Sequence, residues 1–463
     1  MFALVYVTLL GWPLFTVLLF KKLPHQWAVV ISYVGAYLFL PQFNIPLPGP
    51  FDYGKMAAAS YGVLLSTLLF DVDRLRSFQP SWLDLPIFTY CIICPFITAV
   101  TNDLTLYDGF SDAVNQGTLW GGPYFLGRLY LSSLEGLRKL AIGILIGGLL
   151  YVPLCMYESR MSPQLHNMVY GFHSLRQFMQ SYRWGGYRPN VFLKHGLSVG
   201  VWMMATTLIS FVFWRTKVVT KVMNIPMKWI FLILLVNIVL VRSTGAWLLL
   251  GLSIVVFITI QRLRTHILAL VISLMLMTYF VVSGLGYFNG DGVVNFFAET
   301  ISEERAQSLE FRFDNEVLLS GRARERMIWG WGGYGRNRVR DGWGEDITTV
   351  DSWWVITFGT YGLVGLFSLA LAMFLPAIIF LRMYPGQFWT IKKIAPAGTL
   401  VIVVVMYMFD NALNNQFQPV FVLAAGAIQG LVIIHLQNNS RVGVNLTTAQ
   451  NYLSLASKNH GSQ

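Results

Sequence analysis

Long apolar segments alternate with short polar segments along nearly the whole chain. A transmembrane helix needs about 20 predominantly apolar residues, because the hydrocarbon core of a bilayer is about 30 Å thick. About thirteen segments approach or reach this length, which predicts an all-α polytopic membrane protein forming a single transmembrane domain over 1–463. The predicted spans are 2–20, 27–43, 56–71, 84–101, 119–134, 139–157, 196–213, 226–241, 245–260, 267–285, 353–381, 396–411 and 419–436.

The lysines indicate how these helices are oriented. Every second connection between predicted spans is basic, and these connections together with the C-terminal tail hold nine of the eleven Lys. Cytoplasmic loops carry the excess of basic residues in membrane proteins, so this set of loops is expected to be cytoplasmic. No basic residue precedes the first apolar run, which predicts an uncleaved first helix. The expected N-terminus is outside the cytoplasm and the expected C-terminus is inside it.

Two hydrophilic loops, 158–195 and 286–352, lie on the predicted outer side and hold twelve Arg but only one Lys. Basic residues are normally sparse in outer loops, whereas a guanidinium binds phosphate through two parallel hydrogen bonds. The surplus of Arg therefore indicates recognition of a phosphate-bearing substrate. Apolar residues at helical spacing from Leu165 to Met179 predict a surface helix in the first loop that starts at Ser162-Pro163 and ends at Gly185-Gly186. A second helix is predicted over 302–319 in the other loop.

Composition narrows the class of ligand. The chain is 55% hydrophobic and only 12% charged, with a formal net charge of +11. In a membrane protein this charge favours anionic lipid headgroups or anionic substrates over nucleic acid. Cys91 and Cys94 lie in an apolar segment and lack the second pair of ligands that a zinc site requires. Neither a metal nor a cofactor is predicted.

Three arginines are candidates because of their positions. Arg128 falls inside a predicted span, where an unpaired charge is costly and usually functional, unless its side chain extends to the membrane surface. Arg242 occupies a tight outer turn followed by Ser243 and Thr244, which predicts contact with substrate or a simple interfacial turn. Arg312 lies among acidic residues of the second loop, where ion pairing along a helix surface is the alternative.

A second group of candidates combines arginine with aromatic rings. Arg183 and Arg188 flank an aromatic, Gly-rich turn that includes Tyr187. Guanidinium groups and aromatic faces suit a sugar phosphate, although an interfacial aromatic belt explains the pattern equally well. Arg322 and Arg324 begin a Gly-rich segment and are weaker candidates for binding sugar or phosphate.

Two residues are candidates for a general base. Asp351 directly precedes a predicted span, where it could activate an acceptor hydroxyl or simply cap the helix. His166 in the first outer loop is the second candidate, and a histidine without a special role is the alternative. The outer loops contain no Asp-x-Asp pair for a metal-dependent nucleotide-sugar enzyme. This favours a lipid-linked diphosphate donor whose leaving group is neutralised by arginines.

Four stretches of the chain resemble the O-antigen ligase/O-antigen polymerase superfamily, and the resemblance covers roughly 124–365. The second of them is similar to exopolysaccharide members of the group. The stretches are Tyr124…Gly127-Arg128, Tyr187-Arg-Pro-Asn-Val-Phe-Leu-Lys-His-Gly196, Arg242-Ser-Thr-Gly-Ala246, and the segment from Arg312 through Gly-Trp-Gly-Gly-Tyr-Gly to Asp351-Ser-Trp-Trp…Gly365.

The resemblance implies a GT-C-like fold in a bacterial inner membrane and a metal-independent glycosyltransferase. Such an enzyme would polymerise undecaprenyl-diphosphate-linked oligosaccharide repeats into O-antigen or exopolysaccharide. Membrane lipid and chain-length regulators or export proteins are the other partners that it implies. Ligases of the group usually have His-Asn where this chain has Asp351-Ser352, which weakens a ligase assignment. The resemblance implies that the diphosphate is bound by Arg128, Arg188, Arg242 and Arg312.

Three alternatives remain open from the sequence. One of them, a structural scaffold of a polysaccharide export complex, leaves the enrichment in Arg unexplained. A ligase of the same superfamily would transfer the lipid-linked glycan to lipid A core or to protein. A transporter or flippase for lipid-linked oligosaccharides belongs to another class, in which internal repeats and a mid-membrane site are common. The two halves of this chain show no evident symmetry, and its polar groups concentrate in the two outer loops. These features favour chemistry at the outer surface.

Overall fold

A computed structural model describes residues 3–49, 52–174, 181–300, 303–349 and 351–438. Helices dominate it, and three short two-stranded hairpins are β1–β2 (Ile45–Pro46, Asp52–Tyr53), β3–β4 (Tyr182–Arg183, Gly186–Tyr187) and β5–β6 (Lys221–Val222, Ile225–Pro226). The helices are α1 (Ala3–Lys22), α2 (His25–Phe39), α3 (Lys55–Phe70), α4 (Val72–Arg76), α5 (Leu85–Phe88), α6 (Cys94–Thr101), α7 (Leu106–Gln116), α8 (Gly122–Tyr130), α9 (Leu134–Met161), α10 (Leu165–Tyr170), α11 (Gly196–Thr216), α12 (Met227–Leu240), α13 (Thr244–Leu263), α14 (Ile267–Gly284), α15 (Asp291–Thr300), α16 (Glu303–Arg324), α17 (Trp353–Met383), α18 (Ala395–Leu413) and α19 (Pro419–Asn438).

Within the described ranges, nine helical stretches are long and apolar enough to cross a membrane. They are α1, the continuous stretch Trp82–Thr101 that contains α5 and α6, α9, α11, α13, α14, α17, α18 and α19. This agrees with an all-α multi-pass membrane protein. Four predicted spans correspond to the shorter helices α2, α3, α8 and α12.

The predicted span 119–134 differs from the structure in both of its ends. The helix ends at Tyr130, and it continues backwards from α8 through a π-helical turn, Gly117–Gly121, into the polar helix α7. A hydropathy window misses this start, because α7 is amphipathic and contributes few apolar residues.

The centre of the bundle is built from α11, α18 and α19. Nearly all side chains of α11 are buried, so its sequence is apolar on every side and shows no helical periodicity. Trp202 of α11 stacks on Phe421 of α19, with ring centroids 5.9 Å apart and an interplanar angle of 10°. Both arginine-rich loops lie at the same end of these three helices.

We call this end the loop face. It is the end at which α9 finishes (Met161), α11 begins (Gly196) and α17 begins (Trp353). The other end, the opposite face, carries Asp71 and Tyr130. Helix α3 connects the two faces, and its 16 residues span about 24 Å at 1.5 Å per residue.

Glu158, near the end of α9, fixes the first arginine-rich loop to the loop face. Its side chain is fully buried, and one carboxylate oxygen accepts hydrogen bonds from the backbone N–H groups of Asn190 (2.8 Å) and Val191 (2.7 Å). The other oxygen accepts from the N–H of Leu165 (2.8 Å), at the start of α10. A buried carboxylate needs such donors. The two ends of the loop are thereby held against one residue.

The surface helix predicted in this loop is much shorter in the structure. Helix α10 covers only Leu165–Tyr170 and ends at Gly171, which has a left-handed backbone (φ 82°). Residues 175–180 of the predicted helix lie outside the described residues, and its predicted end at Gly185-Gly186 belongs to the hairpin β3–β4 instead. The helix predicted over 302–319 is confirmed in its described part, since α16 covers Glu303–Arg324.

The Gly-rich segment of the second loop pairs with a break in α17. The helix has a non-helical residue, Gly362 (φ 65°, ψ −164°), and the backbone groups freed there bind the loop. Leu363 donates its N–H to the carbonyl of Met327 (2.8 Å), and Trp331 donates to the carbonyl of Gly359 (2.9 Å). A Cβ atom at Gly362 would lie 2.2 Å from the carbonyl oxygen of Ile328. Only glycine permits this approach.

We predict that Glu158→Gln destabilises the protein by about 1–3 kcal/mol, because an amide NH2 would face a backbone N–H and leave a buried donor unsatisfied. Thermal unfolding in detergent should show a lower midpoint. Glu135→Gln, an exposed change at the opposite face, should leave the midpoint unchanged. Equal midpoints for both variants would contradict the anchoring role of Glu158.

Candidate functional site

The turn between α12 and α13 brings Arg242 to the first arginine-rich loop. Arg242 adopts a left-handed backbone (φ 53°), which turns the chain sharply at the loop face. Its guanidinium donates to the carbonyl of Tyr187 (2.9 Å), and its own carbonyl accepts from the guanidinium of Arg188 (3.1 Å). A Cβ atom at Gly186 would lie 2.3 Å from the Arg242 guanidinium. The absence of a side chain at Gly186 therefore allows the contact.

The hairpin β3–β4 carries the aromatic part of this region. Its two-residue turn, Trp184-Gly185, has positive φ at both positions, as a type I′ turn requires. The Trp184 ring lies 4.8 Å from the ring of Trp247 on α13, and the Tyr187 ring lies 5.4 Å from that of Tyr182. Arg183 pairs with Gly186 across the hairpin, so the candidates Arg183, Tyr187 and Arg188 share one compact unit.

His195, the N-cap residue of α11, lies where the two arginine-rich loops meet. Its Nδ1 accepts a hydrogen bond from the N–H of Leu197 (3.1 Å). Burial lowers the pKa of His195 to about 4, and the positive charges of Arg188, Arg183, Lys194 and Arg312 lower the pKa further in that order. The ring is therefore neutral at pH 7. Cations from both loops thus act electrostatically on this one histidine.

Arg312, on α16, contacts the end of α18. Its guanidinium donates to the carbonyl of Leu413 (3.4 Å), and its charge interacts with the carboxylates of Glu316 and Asp410. Neither carboxylate comes within 4.0 Å, and Arg312 has no salt bridge among the described residues. Asp410 is 6% exposed and binds the Asn414 amide (3.0 Å). The positive charge of Arg312 is thus not cancelled by a contacting carboxylate.

Glu316 holds α16 against the start of α17. It accepts hydrogen bonds from the hydroxyls of Ser352 and Tyr279 and from the indole of Trp354 (3.3 Å). Burial raises the pKa of Glu316, and these donors together with Arg312 oppose that rise. Because residues four apart lie on the same side of a helix, Glu316 also sets the direction of Arg312.

Asp351 lies beside this network without being part of it. The N-cap residue of α17 is Ser352, so the capping role considered for Asp351 does not apply. The Trp353 N–H donates to the carbonyl of Asn414 (3.3 Å), next to the carbonyl that Arg312 binds. Asp351 is partly exposed and forms no hydrogen bond with the described residues. Its carboxylate is therefore available to a ligand at the loop face.

His166 has a packing role in the structure. Its Nδ1 lies 2.8 Å from the carbonyl of Phe172, and its Nε2 accepts from the N–H of Gln42 (3.1 Å). Burial among aromatic rings leaves the side chain 3% exposed and lowers its pKa. Both nitrogens are thus occupied, and we do not assign His166 as a base.

Arg128 is separated from the other arginines. It lies near the end of α8 at the opposite face, where its guanidinium forms a salt bridge with Asp84 and donates to the carbonyl of Gln79 (2.5 Å). The side chain also lies over the ring of Phe78, 4.3 Å from the centroid. The structure therefore does not bring Arg128 to the loop face, because the helix that carries it ends on the other side of the bundle.

The weaker candidates occupy a second region. Arg322 stacks on Trp331, 3.5 Å from the ring centroid, and pairs with Glu325. Arg324 donates to the carbonyl of Gly284 (3.3 Å). Ten residues of α16 separate Arg322 from Arg312, or about 15 Å. This region borders a cavity of about 840 Å³ lined in part by Arg322, Arg336, Arg338, Arg340, Trp331 and Tyr334.

Sequence reasoning missed His195, Glu316 and Asp410. His195 gave one available signal, since it follows Lys194 directly before an apolar run. Glu316 and Asp410 gave none, because an acidic residue on a polar helix or near the end of a span has many ordinary explanations. In the part of the chain that the structure describes, no cluster of three His, Cys, Asp or Glu side chains could hold a metal ion.

We predict that Arg312→Gln raises the pKa of His195 only slightly above about 4, because one of four positive charges that act on the ring is removed while burial, the largest cause, persists. NMR titration of protein labelled at its His rings measures this, with the signal assigned by His195→Gln. Between this pKa and the ordinary histidine pKa of 6.5 the unfolded chain binds more protons, so this group makes the protein less stable as the pH falls. Arg76→Gln at the opposite face is the control. An unchanged titration in Arg312→Gln would separate Arg312 from His195.

No protein-family model matches the chain, and no curated protein matches its sequence significantly.

Proposed function

We propose that the protein is a glycosyltransferase that polymerises undecaprenyl-diphosphate-linked oligosaccharide repeats on the outer face of a bacterial inner membrane. The observation that supports this most is the convergence of Arg188, Arg242 and Arg312, from three separate parts of the sequence, at one end of a bundle of apolar helices. A lipid-linked diphosphate places its charge at this level when its chain lies in the bilayer. The proposal includes thirteen spans and a GT-C-like arrangement.

The arginines suit a diphosphate leaving group. Arg242 and Arg312 donate to backbone carbonyls, so each keeps its full charge while its position is fixed. Fixed positive charges stabilise the negative charge that develops on the diphosphate as the bond to the sugar breaks. A guanidinium also binds two phosphate oxygens at once.

The proposed reaction uses Asp351 as the base. A hydroxyl of an incoming lipid-linked repeat attacks the anomeric carbon of the sugar at the reducing end of the growing chain. The new carbon–oxygen bond forms as the bond to the diphosphate oxygen breaks, and undecaprenyl diphosphate departs with both electrons. Asp351 accepts the hydroxyl proton. Support for this role comes from its partly exposed carboxylate, which forms no hydrogen bond with the described residues.

We predict that Arg312→Ala lowers polymerisation by about 100-fold or more, because one fixed charge at the leaving group is lost. The gene is deleted and complemented with each variant, the surface polysaccharide is sized and lipid-linked intermediates are extracted. Arg76→Ala, which removes an equal charge at the opposite face, should behave as wild type.

The same experiment separates the alternatives. Loss of long chains, with single lipid-linked repeats on the outer leaflet, supports a polymerase. Long polymer that stays on its lipid carrier would indicate a ligase. Repeats trapped on the cytoplasmic leaflet would indicate a transporter. Full activity of Arg312→Ala would remove Arg312 from the site.

We predict that Asp351→Asn lowers the turnover rate by about 100-fold or more, because general base catalysis is lost while binding of the donor persists. Turnover of purified protein on lipid-linked repeats gives kcat and KM separately, and KM should change little. Asp314→Asn makes the same chemical change at an exposed position on α16 and should retain activity. A variant Asp351→Asn with normal kcat would exclude this residue as the base.

A further inference from the structure

A second cavity lies at the loop face, between the start of α3 and the segment that joins α18 to α19. Its volume is about 240 Å³. The lining is polar, with two lysines and several amides and hydroxyls, among them Lys55, Lys194, Asn115, Gln416 and Ser198. Of these, Lys194 is also one of the cations that act on His195, and the other four are not part of the arginine site. Ligand pockets of drug-like molecules typically have about 300–1,000 Å³, so this volume suits a single small ring.

Lys55 supplies a charge that the described side chains do not neutralise. Its ammonium donates to the carbonyls of Tyr37 (2.9 Å) and Phe192 (3.5 Å) and lies 5.1 Å from the centre of the Tyr37 ring. Among the described residues no carboxylate lies within 4.0 Å, and Asp52, which also borders the cavity, forms no ion pair with it. A partly buried ammonium gains from pairing with an opposite charge, so the cavity favours a ligand that brings a negative charge.

The position of Lys55 strengthens this preference. It is the first residue of α3, where the helix dipole places a partial positive charge. The preceding residue, Gly54, provides no side-chain cap. The positive end of the helix dipole and the Lys55 ammonium therefore both favour an anion in this cavity. Natural helices usually place acidic groups at this end.

Hydrogen bonds connect this cavity to the arginine site. The hydroxyl of Ser198 binds the amide oxygen of Gln416, and the Gln416 N–H donates to the side chain of Asn411 (3.1 Å). Asn411 precedes by two residues the carbonyl of Leu413 that Arg312 binds. Lys194, on another wall of the cavity, is next to His195. A ligand in the cavity would thus lie on the same face of the bundle as a diphosphate held by the arginines.

We infer that this cavity binds one acidic sugar residue of the lipid-linked glycan, with Lys55 pairing with the sugar carboxylate. The amides of Asn115 and Gln416 would bind ring hydroxyls, for which side-chain amides offer both donors and acceptors. The inference rests on the proposed function and specifies its substrate class as a carboxylate-bearing sugar. Lys55 would be a specificity-determining residue with no part in the leaving-group chemistry.

Binding of monosaccharides to purified protein in nanodiscs tests this inference without any turnover. D-glucuronate and D-glucose form a matched pair that differs in one carboxylate, and their affinities are measured by saturation-transfer NMR or calorimetry. We expect glucuronate to bind about tenfold or more tightly than glucose, since a hydrogen bond to a charged group contributes more than a neutral one. Lys55→Met should abolish this preference.

Control variants distinguish failure of this inference from failure of the proposed function. Lys228→Met removes a lysine at the opposite face and should keep the preference for glucuronate. Arg312→Ala should also keep it, because the cavity is formed by other residues. Loss of polymerisation in Arg312→Ala tests the proposed function independently of this binding. Lys55→Gln is a second substitution, and unfolding midpoints show whether either variant at position 55 is folded.

Three outcomes would overturn the inference. Wild-type protein could bind glucose and glucuronate equally, or bind neither of them. A folded Lys55→Met variant could retain the full preference for glucuronate. Inorganic phosphate could bind in place of glucuronate in a manner that depends on Lys55, which would assign the cavity to a phosphate of the lipid carrier.

Discussion

The buried carboxylate of Glu158 is the contact on which the arrangement of the loop face depends. It forms no salt bridge with the described residues and takes three backbone N–H groups instead, from Leu165 at one end of the first loop and from Asn190 and Val191 at the other. Hydrogen bonds to an ionised acceptor are roughly twice as strong as neutral ones. Arg188 lies two residues before Asn190. The hydrogen bond from Asn190 to the buried Glu158 therefore holds Arg188 where it can bind the carbonyl of Arg242.

The second loop is organised by the same kind of interaction. Glu316 is buried and satisfied by neutral donors from α14 and α17, and it lies one helical turn from Arg312. In both loops an acidic side chain is used for internal anchoring, while Arg242 and Arg312 bind backbone carbonyls. A hydrogen bond to a carbonyl holds a guanidinium in place and leaves its positive charge intact. Among the described residues, the guanidinium groups of Arg242 and Arg312 are therefore held in place without a contacting carboxylate, which suits the binding of a diphosphate.

The sequence predicted the helical architecture well, because each helix that crosses a membrane needs a long apolar segment. It predicted the site less well, because partners distant in sequence decide each role. Arg128 fitted the expectation for a functional charge in a span, yet Asp84, 44 residues earlier, neutralises it. His166 fitted the expectation for a base, yet Gln42 and Phe172 occupy both of its nitrogens. In contrast, Arg188 and Arg312 lie in loops that topology alone brings to one face.

The choice between arginine and lysine at this face follows from their chemistry. A guanidinium has five donors in a plane, so Arg242 can hold the carbonyls of Tyr187 and Ser159 (3.4 Å) and still direct charge outwards. An ammonium is a compact charge with three donors, and Lys55 uses it in a partly buried cavity with two carbonyls. The arginines therefore suit an extended diphosphate at the membrane surface, and the lysine suits one small anionic group. If the proposed function holds, the two kinds of cation would divide recognition of the substrate between its lipid-proximal phosphates and its sugar.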